Sequence, residues 1–523
     1  MTSLRLSLMT GRKALWLILP VLLAVGVAWV CFTRDAVPAG PALDVSMDRV
    51  ATPLVLEPAF VRLGALKPRS VAEIGESDFT IGCETLDRGY ADFEAYKGYL
   101  LPLGIKKLRI QGGWARCERE KGVFDFAWLD KIVDWAVAHK LEPMLCCVFG
   151  NPLYADEKAK GLFSRIPTEG EAYVAWRRWI DTLARHYAKR VRYYETWNEP
   201  NNVPGNTPGV IATNNIETAE IIRAYRPDAV ISGMVLGRRD EYEDILAAYA
   251  ATGKYKLIDN VSVHLYDLSP EFGVSWLDWA IERANEITPG IKVRQGEAGA
   301  VSEMIPRFGF AKWPFTEISQ AKWDIRRMLV DHSRGVDSSV FQISDMHYDG
   351  VEGTFNNAKG LLRANEAREI IQIKKAYYAV QNVASVFDRT LRHVATNAMD
   401  YVCLDETVWF DEYRTQSKRP VLVFWQWQTR ETQLSPKGSL RREKAYPLPS
   451  DSCMTRTFYF EGKTPFVDPV WVDLLSGRVY KVPKSSQIVH SCGVSFVNIP
   501  VYDSPCLLAD HESLSIDVVS PRR

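Results

Sequence analysis

Eight short apolar runs separated by segments of helical periodicity constrain the fold of this 523-residue chain more than any other feature. The runs span residues 79–83, 107–111, 142–148, 192–196, 230–234, 260–265, 292–296 and 339–344. Between the second and third runs, Phe126, Leu129, Ile132 and Val133 recur at the three- and four-residue steps of one helix face. Such alternation predicts parallel strands with covering helices, and eight parallel strands close into a barrel. We therefore predict an α/β fold with a (β/α)8 barrel over residues 61–389.

The pattern changes after residue 389. Short β-rich runs follow, with a Ser-Gly turn at residues 476–477. These runs span residues 421–427, 456–460, 470–474, 479–482 and 494–501. They predict an antiparallel β-sandwich over residues 390–523. Residues 37–60 contain several prolines and are interpreted as a spacer, and whether they add a strand to the sandwich is left open.

The N-terminus carries an uncharged, mostly apolar segment at residues 14–32, with basic residues before it and Arg34 after it. Its length approaches the roughly 20 residues that cross a bilayer. It exceeds the roughly 7–15 residues of a signal-peptide core. We predict that residues 1–36 are a transmembrane signal anchor and that the rest of the chain is extracytoplasmic. The alternative is a cleaved signal peptide and a secreted or periplasmic protein.

Charge and cysteine content limit the other partners. The chain has 64 basic and 64 acidic residues, a formal net charge of +0, so a nucleic-acid partner is not expected. No Cys-x-x-Cys or His-rich cluster predicts a metal site, and no cofactor is expected. Export permits disulfides. Cys403, Cys453, Cys492 and Cys506 could pair, but their spacing does not give the connectivity.

Two glutamates stand at the ends of predicted strands. Glu199, with Asn198 beside it, follows the fourth run in the motif WNEP at residues 197–200. Glu297 closes the seventh run in QGE at residues 295–297. In a parallel barrel the carboxyl ends of the strands form one catalytic rim. A single glutamate there is more often a surface or ion-paired residue, but two in one mouth match the carboxyl pair that glycosidic hydrolysis needs.

These motifs resemble the signatures of glycoside hydrolase clan A, retaining barrel enzymes with catalytic glutamates on strands four and seven. The C-terminal VYDSP at residues 501–505 is similar to the family 39 β-xylosidase-like enzymes. The resemblance implies a retaining glycosidase acting on a β-linked oligo- or polysaccharide, with Glu199 as acid/base and Glu297 as nucleophile. The rivals are a non-catalytic glycan-binding barrel and a transglycosylase with the same glutamates. The oligomeric state is left open.

The resemblance also implies roles around the pair. Asn198 would hydrogen-bond the sugar 2-hydroxyl, and Arg109 would hold Glu297 ionised. Tyr266 would donate to Glu297, and His264 would border the site, with a purely structural role as its alternative. The neighbouring charge and burial are expected to raise the pKa of Glu199. A retaining enzyme needs carboxyl groups about 5–5.5 Å apart, whereas an inverting enzyme separates them further.

One departure from the clan concerns the sugar subsite. The clan usually has a Trp at the end of strand eight, and this chain has Phe341 in that segment. Phe341 itself, or a loop tryptophan at Trp114 or Trp313, is therefore expected to form the floor of the subsite. Glu84 and Asn151, which follow strands one and three, either bind sugar hydroxyls or stabilise their loops.

Overall fold

The structure is a computed structural model that describes residues 40–519, except 52–53, 155–164, 350–353, 396–400, 428–452 and 462–465. The expected signal or anchor segment at residues 1–36 lies outside the described residues. Within the described part, no helix combines the length and apolar character needed to cross a membrane.

Eight parallel strands form a closed barrel, as predicted. They span Phe79–Gly82, Lys107–Gln111, Glu142–Cys146, Tyr193–Glu195, Val230–Leu236, Asn260–Val263, Lys292–Ala298 and Asp337–Val340. The first strand pairs with the eighth, Phe79 opposite Ser338, which closes the sheet. The seventh strand ends two residues later than predicted, so Glu297 lies within the strand rather than after its end. The strands are buried on both faces, which explains their near-continuous apolar sequences.

Helices cover the outside of the barrel. They span Phe93–Leu103, Trp114–Cys117, Ala127–Ala138, Gly170–Tyr187, Pro208–Tyr225, Tyr242–Ala251, Val274–Ile287, Glu317–His332 and Lys375–Val386. Several of the longer helices bury one stripe of side chains, which in Gly170–Tyr187 includes Trp176, Trp179 and Leu183. The helices Glu317–His332 and Lys375–Val386 are instead buried on nearly all sides. Thr316 and Ser319 form a capping box that fixes the start of Glu317–His332. Two short hairpins follow the eighth strand, Met346–Tyr348 with Phe355–Asn357 and Leu362–Ala364 with Ile370–Ile373.

Two antiparallel sheets form the C-terminal sheet domain. The larger has the order Arg392–His393, Val408–Arg414, Pro420–Gln426, Cys506–Asp510, Pro469–Asp473, Arg478–Lys481, Val61–Leu66, Ile516–Val518. The smaller has the order Tyr401–Val402, Met454–Glu461, Gly493–Val501, Gln487–Val489. Phe424 and Trp471 of the larger sheet share one apolar cluster with Phe458 and Phe496 of the smaller. The two sheets therefore enclose a core of their own.

The strand Val61–Leu66 corrects the expected start of the barrel at residue 61. It pairs with Arg478–Lys481 on one side and Ile516–Val518 on the other, within the larger C-terminal sheet. The physical reason is that the barrel closes on its own eight strands and leaves no free edge, whereas the C-terminal sheet is open. No strand lies in the described residues of the spacer, 40–51 and 54–60.

Buried polar contacts join the barrel to the sheet domain. Arg326 on helix Glu317–His332 pairs with Glu271 at 2.6 Å, and Trp425 of the sheet domain donates from Nε1 to the same carboxylate at 2.6 Å. Lys322 on that helix pairs with Asp503. No disulfide adds to these contacts among the described residues, where Cys403, Cys453, Cys492 and Cys506 are free thiols along with Cys83, Cys117, Cys146 and Cys147.

Candidate active site

Glu199 is aimed into the mouth of the barrel by an unusual backbone. Its φ is 46°, in the left-handed region that few non-glycine residues adopt, and its amide donates to the Val235 carbonyl at 2.9 Å. Pro200 then starts the short turn Pro200–Asn202. On the adjacent strand end, a side chain at Gly237 would place its Cβ 2.7 Å from Glu199 Cδ. The glycine therefore leaves the room that the Glu199 carboxylate occupies.

Glu199 and Glu297 meet across the mouth. One oxygen of each carboxylate and one ring nitrogen of His264 all lie within 4.8 Å of one another. This closeness is compatible with the spacing of the carboxyl groups in a retaining pair, about 5–5.5 Å. The two carboxylates can thus act on the same glycosidic bond.

Glu297 is held by two donors. The Tyr266 hydroxyl donates to Oε1 at 2.8 Å, and Arg109 Nη1 donates to Oε2 at 2.9 Å. Arg109 also donates from Nη2 to Asn198 Oδ1 at 2.8 Å, which orients that amide beside Glu199. The structure therefore brings together all six residues that the motifs placed at the centre of the site: Asn198, Glu199, Glu297, Arg109, His264 and Tyr266.

Arg109 is the buried centre of a wider carboxylate network. Besides Glu297, its guanidinium pairs with Glu84, and its Nε donates to Glu195 Oε2 at 2.5 Å. Burial would raise the pKa of Glu195, but the charges of Arg109 and Arg294 hold it below its ordinary value. Burial raises the pKa of Glu84 to about 8, against the charge of Arg109. Sequence reasoning missed Glu195, although a charged residue inside an otherwise buried run was a signal for it.

His264 forms a hydrogen bond with Glu199. Its Nδ1 lies 2.8 Å from Glu199 Oε1, and its side chain is fully buried. Burial would raise the pKa of Glu199, but the hydrogen bond and charge of His264 lower it below its ordinary value. Burial would lower the pKa of His264, but the charge of Glu297 and the hydrogen bond to Glu199 raise it. The expectation of a raised pKa at Glu199 is therefore wrong, because the motif did not show this imidazole contact.

The hydrogen bonds favour a carboxylate pair over a cation site. Glu199, His264 and Glu297 together offer three possible metal ligands. However, both oxygens of Glu297 already accept hydrogen bonds, from Tyr266 and Arg109, and His264 Nδ1 is engaged with Glu199. The Arg109 guanidinium would also repel a second cation at this position. These contacts fit a pair of carboxylates held by hydrogen bonds from Tyr266, Arg109 and His264.

Four predicted binding residues have little exposed surface. Trp114 is 1% exposed, its ring stacks on Tyr154, and its Nε1 donates to Glu118. Asn151 stabilises its own loop by donating to the Glu118 carbonyl at 2.9 Å. Glu84 is buried behind Arg109, and Phe341 is 6% exposed. Their positions depend on loop packing, which strand ends alone do not specify.

An aromatic cluster lies near Glu297 through Tyr266, which donates to that carboxylate. Trp313 is half-buried and packs in a cluster with Tyr266 and Phe310. The ammonium of Lys359 lies 4.2 Å from the centroid of the Tyr266 ring and 5.6 Å from that of Phe341. Burial lowers the pKa of Lys359 to about 8. The sequence carried no signal for this lysine, which lies beyond the eighth strand between two hairpins.

Comparisons with known proteins find the same architecture. No protein-family model and no curated protein matches the chain. Solved structures do: a family 39 glycoside hydrolase from Bacteroides cellulosilyticus WH2 matches at a TM-score of 0.59 and 14% identity, over 83% of this chain and 80% of that one.

Two further structures extend this result. A monomeric β-xylosidase from Caulobacter crescentus CB15 has a TM-score of 0.55 and 14% identity, over 86% of this chain and 98% of that one. A family 30 endoxylanase from Clostridium papyrosolvens C71 has a TM-score of 0.52 and 11% identity, over 86% and 99%. The fold is thus a barrel with a C-terminal sheet domain, of the kind found in glycoside hydrolases of clan A. Family 39 enzymes are among the structural neighbours, as the motifs suggested.

Proposed function

We propose that the protein is a retaining glycoside hydrolase that cleaves O-glycosidic bonds in a β-linked oligo- or polysaccharide. The observation that carries the proposal is the approach of Glu199 and Glu297 to within 4.8 Å at the mouth of the barrel. The likeness to xylosidase and xylanase structures, at 11–14% identity, supports the barrel fold on which this proposal rests.

The proposed reaction is a double displacement. Glu199 gives a proton to the leaving oxygen while a Glu297 oxygen attacks the anomeric carbon, so one C–O bond breaks and another forms. In the second half, Glu199 takes a proton from water, and the water oxygen replaces Glu297 on the anomeric carbon. In this proposal Arg109 and Tyr266, which donate to Glu297, hold it for the attack, and Asn198 binds the sugar 2-hydroxyl.

The test uses the two glutamates one at a time. Glu199→Ala and Glu297→Ala are assayed on activated aryl glycosides with and without azide, beside Glu220→Ala, which removes an exposed surface carboxylate. Azide should rescue Glu297→Ala to a glycosyl azide of inverted configuration and Glu199→Ala to one of retained configuration. A 2-deoxy-2-fluoro glycoside with an activated leaving group should add its sugar mass to Glu297 in the parent protein and in Glu220→Ala but add nothing to Glu297→Ala.

The rivals give different results in the same assay. Equal residual activity in the parent and both variants would favour a glycan-binding barrel without catalysis. Sugar transfer that exceeds hydrolysis at low acceptor concentration would favour a transglycosylase. An inverted product from the parent protein would end the nucleophile role of Glu297.

We further propose that the protein is extracytoplasmic and is held at a membrane by residues 14–32. The support is the uncharged apolar sequence of that segment, its basic flank and the spacer that follows it. The test is the mass of the mature N-terminal peptide and the partition of the protein into membranes. A mature N-terminus near Gly40 with the protein in the soluble fraction would replace the anchor with a cleaved signal.

A further inference from the structure

Lys359 is a buried cation without a protein acceptor. It is 2% exposed, and its ammonium lies against the rings of Tyr266 and Phe341. In the part of the chain that the structure describes, no oxygen accepts a hydrogen bond from its Nζ. Burying an ammonium group is costly unless an acceptor is supplied. The rings offer only a cation–π attraction, which leaves the hydrogen-bonding capacity of the group unused.

The position of Lys359 relates it to the sugar. Tyr266, the ring nearest its ammonium, donates to Glu297, and Glu297 and Glu199 are the largest attractive charges on the lysine. Phe341, the second ring, is in the segment where the clan places the floor of the subsite. Lys359 thus borders the space in which the sugar at the cleaved bond would lie.

We infer that Lys359 binds an anionic substituent, a carboxylate or a sulfate ester, on the sugar whose bond is cleaved. The inference rests on the proposed function and names its substrate class, an acidic glycan. An anionic oxygen would supply the charge-assisted hydrogen bonds that the protein does not. The reaction itself adds a reason. Esterification of Glu297 removes the strongest charge that attracts Lys359, and a substrate anion would take its place throughout the covalent intermediate.

A second group of cations lies on the same rim. Arg88, Arg116 and Arg119 line a surface pocket of about 420 Å³, with Asp87 as its one carboxylate. Arg88 donates to Gln111 at 2.6 Å, and Gln111 donates to Glu84, the partner of Arg109. The pocket is therefore connected to the catalytic network by direct contacts, and its excess positive charge suits further acidic units of one chain.

The experiment compares matched charged and neutral substrates. The parent protein is assayed on 4-nitrophenyl glucuronides, glucosides, xylosides and 6-sulfated glucosides, in both anomeric series. We expect kcat/KM for one anionic class to exceed that for its neutral counterpart by at least about 100-fold, since a site built for a polar group rejects analogues that lack it. A preference for uronides assigns the carboxylate, and one for sulfated sugars assigns the sulfate.

Variants test whether Lys359 is responsible. Lys359→Met should reduce the ratio of charged to neutral kcat/KM to below about tenfold, and Lys359→Arg should retain most of it. Lys254→Met, which removes an exposed lysine paired with Glu220, should leave the ratio unchanged. Thermal melting of each variant confirms that the protein is folded. A ratio that Lys359→Met does not alter overturns the inference.

Equilibrium binding separates failure of this inference from failure of the proposed function. Glu297→Gln protein is titrated with polygalacturonate, a sulfated polysaccharide and neutral xylan at several salt concentrations. Tighter binding of one acidic polymer, weakened by Lys359→Met and by Arg119→Gln, supports the inference. Equal or tighter binding of xylan overturns it, and hydrolysis of neutral glycosides in the first assay would then leave the proposed function intact. Binding of an acidic polymer without cleavage of any substrate would overturn the hydrolase.

Discussion

His264 Nδ1 lies 2.8 Å from Glu199 Oε1, so the proposed acid/base shares a hydrogen bond with a buried imidazole. The pKa of Glu199 is lowered and that of His264 is raised, each by the charge of its neighbours against the effect of burial. In the unbound protein the proton of the pair therefore lies on His264. Because the two groups interact strongly, they titrate as a unit, and the proton that Glu199 gives to a leaving group can come from the imidazole.

Replacing His264 with Gln should move the alkaline limb of the kcat/KM profile to lower pH. In the parent protein that limb reports the loss of the shared proton. Because the pKa of His264 is raised, the limb should lie above the ordinary imidazole value of 6.5. With glutamine, Glu199 must hold the proton alone. The limb should fall by about two units, since the ordinary pKa values of the two groups differ by about two. The check is a pH–rate profile on an aryl glycoside. A shift towards alkaline pH would mean that His264 only depresses the pKa of Glu199 and stores no proton.

Replacing Arg109 with Lys should damage both activity and stability. Arg109 bonds Glu297, Glu195 and Asn198 with separate guanidinium nitrogens, and a lysine ammonium cannot reproduce that fork. Removing the cation of a buried ion pair costs about 3–5 kcal/mol of unfolding free energy. Arg109→Met removes the cation entirely and therefore sets the largest loss of stability expected at this position.

Arg109→Lys should lose less unfolding free energy than Arg109→Met. Its kcat/KM should fall by at least about tenfold, because Glu297 is no longer held in line. Urea unfolding and initial rates measure the two effects. Arg283→Lys, which changes a surface arginine paired with Glu243, is the matched control and should leave the unfolding free energy close to that of the parent. Full activity in Arg109→Lys would show that the guanidinium does not position the nucleophile.

The barrel and the central glutamates were predictable from sequence for a physical reason. Parallel barrel strands are buried on both faces and therefore read as continuous apolar runs, and the ends of such strands converge on one rim. Glu199 and Glu297 stand at two of these ends. The strand Val61–Leu66 was not predictable in the same way. Its sequence would fit a strand of either the barrel or the C-terminal sheet. The structure shows that it pairs within the C-terminal sheet, because the barrel closes without it.

Side chains from the loops were the least predictable part of the site. Trp114 and Trp313 both follow barrel strands. Trp114 stacks on Tyr154, whereas Trp313 packs beside Tyr266. Whether a loop aromatic faces the cleft depends on the path of the loop, which has no sequence period. The same applies to Lys359, whose ammonium reaches the site only because two hairpins follow the eighth strand. The pKa of Glu199 depends on a partner 65 residues away.

Glu84 should make the unfolding free energy depend on pH. Burial raises its pKa from 4.5 to about 8 in the folded protein, so between these values the folded state keeps a proton that the unfolded state has lost. The free energy of unfolding therefore falls as pH rises through this window, by about 1.4 kcal/mol per pH unit from this group alone.

Glu84→Gln cannot titrate and should lack this dependence. The variant should thus gain stability relative to the parent between pH 5 and pH 8. Urea unfolding of both proteins at several pH values measures the difference, with Glu220→Gln as the exposed control. A difference that stays constant with pH would show that Glu84 is ionised throughout, as one more carboxylate paired with Arg109.

The contact of Glu271 with Arg326 and Trp425 should make the barrel and the C-terminal sheet domain unfold together. All three side chains are buried, and the carboxylate lies between a barrel helix and a sheet-domain strand. Glu271→Ala leaves the Arg326 charge unpaired and should cost about 3–5 kcal/mol. Trp425→Phe removes a hydrogen bond to a charged group and should cost about 1.5–3 kcal/mol. Lys254→Ala, at an exposed ion pair, should cost less than about 1 kcal/mol.

The measurement is urea unfolding followed by far-UV circular dichroism and by tryptophan fluorescence. Coincident transitions that shift together in Glu271→Ala are expected, because the strand Val61–Leu66 also ties the start of the barrel to the C-terminal sheet. Two separate transitions, only one of them moved by the substitution, would mean that the domains fold independently and that the buried contact stabilises just one of them.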